Sequence, residues 1–280
     1  MQVDKRRMCP NCRAFITVDD RVCPYCDLKL GARAVDRRNP SDLVGGLISG
    51  ARFTTVMIMT ANLGLYIACM LYSMQGGNEG ALMNLDGNTL FDFGAKYPQA
   101  IYAGQWWRLI TAGFLHGGLW HLLMNSWALF DLSASVEEFF GSHRLVAIYV
   151  ISTIGGFGAS TLWSHSLSVG ASAAIFGLIG AMIAFGSMHR TGLGEAVRAL
   201  YVRWAVYGLL FGLMPFFQVD NAAHLGGLGT GFLIGWAAGP PKLVETHWQE
   251  RLWRIICYLC LALTVFAFAQ MFLWFSSGQR

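Results

Sequence analysis

Asn221-Ala-Ala-His224-Leu-Gly-Gly227-Leu-Gly-Thr-Gly231-Phe-Leu-Ile-Gly235 sets one ionisable side chain at the head of an apolar, glycine-rich run. Read as a helix, it places Gly227, Gly231 and Gly235 on the same face as His224. Glycine at that rhythm lets two helix backbones touch, which is how helices pack in lipid. His224 is therefore presented toward another helix. Ionisable groups are costly in a membrane, so such a histidine is a functional candidate.

The rest of the chain fits a membrane protein. Of its 280 residues, 55% are hydrophobic and only 13% charged, with mean hydropathy +0.45. A soluble domain carries ~25% charged residues. Disorder is excluded by the same figures, and the glycines follow no G-X-Y period. Apolar runs near the ~20 residues needed to span a bilayer lie at about 53–74, 113–135, 145–163, 171–189, 199–216, 222–239 and 255–275. Arg203 sits near the end of its span, where it can snorkel. No inverted pair of interrupted helices of the transporter kind is visible.

With the N-terminus inside and the spans alternating, 17 of the 20 Lys and Arg residues fall on the cytoplasmic side. Only Lys96, Arg108 and Arg280 fall outside. That asymmetry predicts a cytoplasmic N-terminus and an outer C-terminus. It also explains the net charge of +4 as a topology signal, with no nucleic-acid partner. No apolar core follows Lys5-Arg6-Arg7, so no secretory signal peptide is expected. The loop 75–112 is glycine-rich and aromatic, with Trp106 and Trp107, and is expected at the outer interface.

Cys9-Pro-Asn-Cys12 and Cys23-Pro-Tyr-Cys26 are two CxxC pairs in a small basic head. Four thiolates in two knuckles can close a tetrahedron around a structural Zn²⁺. A head this small buries little apolar surface, and metal ligation supplies the missing folding energy. Disulfides are not expected in the cytoplasm, and no βαβ pattern supports a redox CxxC. The expected organisation is a zinc-ribbon-like head over 1–32, a linker over 33–52, six spans over 53–240, and a cytoplasmic loop with a seventh span over 241–280.

Two further polar clusters stand in apolar runs. His116-Gly-Gly-Leu-Trp-His121-Leu-Leu-Met-Asn125 puts His121 and Asn125 on one helix face. They suit interhelical hydrogen bonding as well as donation to a reacting group, and their spacing with His116 is poor for a metal. Gly170-Ala-Ser172-Ala-Ala-Ile-Phe176 puts a serine among small residues at a helix N-terminus, where unpaired N–H groups stabilise an anion. With alternating topology, Ser172, His224 and the His116–Asn125 cluster all begin from the outer side. A serine, an imidazole with an unperturbed pKa near ~6.5 and nearby donors are the parts of nucleophilic acyl transfer.

These motifs together resemble the rhomboid intramembrane serine proteases, over about residues 53–275. Trp107-Arg108 is similar to the family's WR pair, His116-x4-His121-x3-Asn125 to HxxxxHxxxN, Gly170-Ala-Ser172 to GxSx, and Ala223-His224-Leu-Gly-Gly227 to the AHxxG helix. Glu137-x3-Gly141 adds an ExxxG element. The resemblance implies an all-α, six-helix core with one added C-terminal helix. It implies Ser172 as nucleophile and His224 as base, a dyad without a carboxylate. His121 and Asn125 would build the oxyanion hole, His116 would support them, and Phe176 would pack on the histidine, where bacterial relatives often carry tyrosine. Ala173 stands where many members have glycine. Arg108, Glu137, Gly227 and Gly231 would be structural.

The implied activity is hydrolysis of peptide bonds in or near transmembrane segments of membrane-protein substrates, without a catalytic cofactor, in a bacterial inner membrane. Water must then reach the site from outside. Pro215-Phe216-Phe217-Gln218-Val219 suits either a movable cap or an interfacial anchor. The rival readings are an inactive rhomboid relative that binds membrane clients, a polar-core transporter, and a zinc sensor acting through the head.

Overall fold

The computed structural model describes residues 6–9, 11, 12, 14–17, 20–28, 53–189, 191–214, 219–239 and 247–278. The chain divides into two compact units, 1–50 and 51–280. In the first, strands β1 (Arg6–Met8) and β2 (Phe15–Thr17) pair antiparallel, with Arg7 opposite Ile16. Among the described residues of this unit, Cys9, Ile16 and Cys23 are buried, with Cys26 and Leu28 packed on them. Thiols occupy the place of an apolar core.

The second unit is helical: α1 (Phe53–Gln75), α2 (Gly87–Asp92), α3 (Pro98–Tyr102), α4 (Arg108–Thr111), α5 (Leu119–Phe140), α6 (Ser142–Trp163), α7 (Ser172–Met188), α8 (Gly192–Phe211), α9 (Asn221–Ala238) and α10 (His247–Ser276). A long helix lies on each of the seven expected spans. α1, α6 and Trp248–Ser276 of α10 are long and apolar enough to cross a membrane by length and composition alone. α7 is shorter, at 17 residues. It is apolar all round and almost wholly buried, as befits a central helix. α6, α8 and α9 surround it.

Three helix starts differ from the sequence reading, those of α5, α8 and α10, the last beginning at His247 rather than at about 255. A 3-10 turn at Ala112–Phe114 and an extended Leu115 precede α5, so His116 lies ahead of the helix rather than on it. Gly118 there packs on the Met83 carbonyl, where a Cβ would collide. α8 begins early because Thr191 caps it, its Oγ1 accepting from Gly194 N at 3.3 Å. The expected linker and the Pro215–Gln218 part of the expected cap lie outside the described residues.

The helices alternate in direction. At one end Tyr72 of α1 meets Phe275 of α10 edge-to-face, and Lys96 pairs with Ser168 ahead of α7. At the other end Thr54 and Ser142 donate to Glu137, and Glu250 pairs with His143 and Arg144. Gly141 joins α5 to α6 at φ +78°, a conformation that favours glycine, and its N–H closes α5 on the Glu137 carbonyl at 2.8 Å. The ExxxG spacing is thus a helix cap followed by a hydroxyl-to-carboxylate tie.

Candidate active site

α7 and α9 meet along a glycine seam. A Cβ on Gly227 would run into the Ala173 carbonyl, one on Gly231 into the Gly177 carbonyl, and one on Gly235 would sit 2.6 Å from Ala181 Cα. Gly156 of α6 closes on both partners, its Cβ position lying 2.7 Å from the Ala223 oxygen and 2.8 Å from Ala173 Cβ. Backbone contact of this kind fixes the start of α9 against the start of α7.

Ser172 is the first residue of α7, where the leading N–H groups have no helical acceptor. Gly170 precedes it at φ +134° and donates its N–H to the Ala112 carbonyl at 2.9 Å. A Cβ at 170 would lie 2.7 Å from His121 Nε2 and 3.6 Å from Ser172 Oγ. Only glycine leaves the imidazole room beside the serine. His121 Nδ1 receives a long contact of 3.5 Å from Gly117 N–H. A neutral ring that accepts there carries its proton on Nε2, the nitrogen facing Gly170.

His224 lies in the first turn of α9, buried, with its N–H on the Asp220 carbonyl at 3.1 Å. Its ring stacks on Phe176 at 4.1 Å between centroids and 12° between planes. Among the described residues, His224 Nδ1 is buried without a partner, and no hydrogen bond joins the ring to Ser172 Oγ. Such bonds are often loose without substrate. His116 is buried edge-on to His121, 5.2 Å between centroids, with neither ring nitrogen partnered among the described residues. Asn125 is buried too, but its Nδ2 donates to the His121 carbonyl at 2.9 Å. One of its two amide protons is therefore committed to its own helix.

Sequence reasoning missed the polar frame around these residues. Asp220 caps α9 through Oδ1, accepting from Ala223 N at 3.0 Å, while Oδ2 accepts from Ser160 Oγ of α6. An aspartate just ahead of an apolar run is a helix-start signal that could have found it. Lys96 is fully buried, and its Nζ donates to the carbonyls of Ser164 and Ser166 at 2.8 and 3.1 Å. Burial lowers its ammonium pKa, with Asp220 opposing. The first loop thereby holds the segment that leads into Gly170 and Ser172.

Arg108 is the hub of that loop. It is fully buried, donating to Gln105 Oε1 at 2.7 Å and to the carbonyls of Phe91 and Ala95 at 2.7 and 3.0 Å. The rings of Phe91, Trp107 and Trp274 cage its guanidinium at 4.0, 4.6 and 4.9 Å. Burial lowers the group to about 10, against the pull of Asp92, so it stays charged at neutral pH.

In the N-terminal unit the sulfurs of Cys9, Cys12, Cys23 and Cys26 all lie within 4.8 Å of one another. Cys9–Cys26 and Cys12–Cys23 are 3.7 and 3.6 Å apart, too long for a disulfide. A tetrahedron with Zn–S bonds of ~2.3 Å has edges of about 3.8 Å. The backbone N–H groups of Cys12, Ala14 and Leu28 point at the sulfurs of Cys9, Cys12 and Cys26. The donor set fits a metal of this kind.

Residues 103–241 match the family described as the Rhomboid domain. Rhomboid-like protease 3 of Toxoplasma gondii is 34% identical over 216 residues, which is 74% of this chain and 76% of that protein. The chain belongs to the rhomboid family. Rhomboid protease GluP of Bacillus subtilis is 38% identical over 174 residues, 62% of this chain and 34% of that protein. RHOMBOID-like protein 4 of Arabidopsis thaliana is 36% identical over 179 residues, 63% and 44% respectively. This rhomboid thus spans less than half the length of either of the latter two. With its apolar helices, it is an integral membrane protein. The cage around Arg108 draws on Phe91 and Trp274, both outside the matched residues.

Proposed function

We propose that this rhomboid is an intramembrane serine endopeptidase that hydrolyses peptide bonds in or near transmembrane segments of other membrane proteins. The observation that carries the reading is the junction at Gly170, where glycine alone admits the His121 ring beside Ser172 at the free N-terminus of α7. Ser172 Oγ attacks the scissile carbonyl and gives its proton to His224. The new C–O bond leaves a tetrahedral oxyanion, which His121 Nε2–H and the N–H groups opening α7 stabilise. The second amide proton of Asn125 assists. The C–N bond then breaks as the imidazolium protonates the leaving amine, and water hydrolyses the acyl-enzyme by the same route. His116 supports His121 by ring contact, and no cofactor enters.

The organisation that goes with this reading is a cytoplasmic head over 1–32 holding one structural Zn²⁺ through Cys9, Cys12, Cys23 and Cys26. A linker over 33–52, a catalytic core over 53–240 and a seventh helix within 241–280 follow. The C-terminus lies outside a bacterial inner membrane. The spread of basic residues supports this orientation.

Purified protein in detergent, given a panel of transmembrane test substrates, tests the activity. Wild type should cleave, and Ser172→Ala and His224→Ala should each abolish cleavage in folded protein. Residues acting as one unit are not additive, so the double variant should be no worse than either single one. Robust cleavage by Ser172→Ala would sink the mechanism and favour a site elsewhere.

A further inference from the structure

α8 meets its neighbours differently along its length. Near its start it lies on the α7 backbone, a Cβ on Gly186 falling 2.6 Å from the Gly194 oxygen and 2.7 Å from Arg198 N. Near its end it touches two residues that flank His224. At Gly208 a Cβ would lie 2.6 Å from Phe176 Cζ and 3.1 Å from Cε2, so the α8 backbone rests on the tip of that ring. The Leu209 carbonyl accepts from Asn221 Nδ2 at 3.2 Å, and Gly212 abuts the Asn221 side chain. Asn221 opens α9 three residues before His224. Phe176 is buried and lies flat on the His224 ring. The imidazole is thus backed by a ring whose far end is stopped by a glycine of a third helix.

We propose that Gly208 is a positioning residue. Having no Cβ, it lets α8 seat Phe176 where that ring holds the His224 imidazole in line with Ser172. The inference rests on the reading of Ser172 and His224 as the dyad. Gly208 is half-buried, Phe176 is buried, and a methyl added at 208 falls on the end of the Phe176 ring. Either α8 backs away or the Phe176 ring slides, and the imidazole loses its backing. A displacement of ~1 Å at a catalytic group costs about 10²-fold in rate.

The test is a double-mutant cycle read as kcat and KM for one cleavable transmembrane substrate. Gly208→Ala should lower kcat by ~10–10²-fold while KM stays within about twofold. Gly158→Ala, whose Cβ meets nothing within 4 Å, should leave both unchanged. Phe176→Ala removes the ring, and in that background Gly208→Ala should cost less than about twofold, the limit of ordinary additivity. An equal loss in both backgrounds overturns the proposal. If Gly208→Ala alone does not fold, recovery of folded protein in the double variant supports the same contact, and failure in both backgrounds overturns it. Ser172→Ala in the same assay separates the two levels. Surviving cleavage removes the dyad and this proposal with it, whereas abolished cleavage with an additive glycine cycle removes the positioning role alone.

Discussion

Ile16 and the buried sulfurs of Cys9 and Cys23 make up the centre of the N-terminal unit, whereas α7 fills the centre of the membrane unit with Ala173, Ala174, Gly177, Gly180 and Ala181 among its buried residues. The first arrangement concentrates folding energy at a point. In the proposed zinc-bound head, loss of one ligand should release the metal, and the described residues offer little apolar surface to hold two three-residue strands. The second spreads it along a seam where each glycine contributes a close backbone contact and none is sufficient alone. Failure should therefore be all-or-none in the head and graded in the membrane.

The largest effect is expected from Cys9→Ser. Zinc content measured on purified protein should fall from one ion per chain to none, and the strand signals of the head should vanish in NMR spectra. Thermal unfolding of the membrane unit should not move. Retention of stoichiometric zinc would remove the point-like picture of the head.

Next comes Gly231→Leu, which drives a side chain into the Gly177 backbone. Overpacking of this kind costs ~1–3 kcal/mol, readable as a lower unfolding midpoint in detergent together with slower cleavage. Gly229→Ala, on the open side of the same helix, should stay within ~0.5 kcal/mol of wild type. Equal effects from both would mean that the seam is not where α9 is held.

The smallest effect is expected at Asp86, in the first loop. Burial alone would raise its carboxyl pKa, but hydrogen bonds from Ser73 Oγ and from Thr89 N and Oγ1, at 2.6, 2.8 and 2.7 Å, outweigh it and hold the group at about 2. Its folded pKa lies below the free value of ~3.9. The stabilisation is therefore complete above pH ~4 and fades as pH falls toward 2. Asp86→Ala removes the α2 cap and should cost ~0.5–2 kcal/mol at neutral pH, with the gap to wild type closing in acid. A gap that persists at low pH would assign the effect to packing.

The sequence makes the helices readable because lipid demands long apolar runs, and the spacing of Gly227, Gly231 and Gly235 announces a backbone seam. Its partner, however, is identified only once α7 is seen to supply Ala173, Gly177 and Ala181 in register. Lys96 reads as an ordinary charge outside the membrane, and Arg108 is marked as structural only by the family resemblance, with none of its partners named. Both are buried because carbonyls from distant segments, Ser164 and Ser166 in one case and Phe91 and Ala95 in the other, fold around them. Pairings of that range leave no periodic trace. His116 read as a helix residue because the run from 113 is apolar, and the turn ahead of α5 depends on the contact of Gly118 with Met83. The stop that Gly208 makes for Phe176 is likewise invisible without the third dimension.

The most direct test of Ser172 and His224 as a working pair is the site and rate of labelling by a fluorophosphonate probe, mapped by mass spectrometry on intact protein in detergent. A single adduct on Ser172 is expected, absent in Ser172→Ala and abolished or strongly slowed in His224→Ala, since the hydroxyl needs its base to attack phosphorus. An adduct on another residue, or labelling of Ser172 at an undiminished rate in His224→Ala, would contradict the dyad.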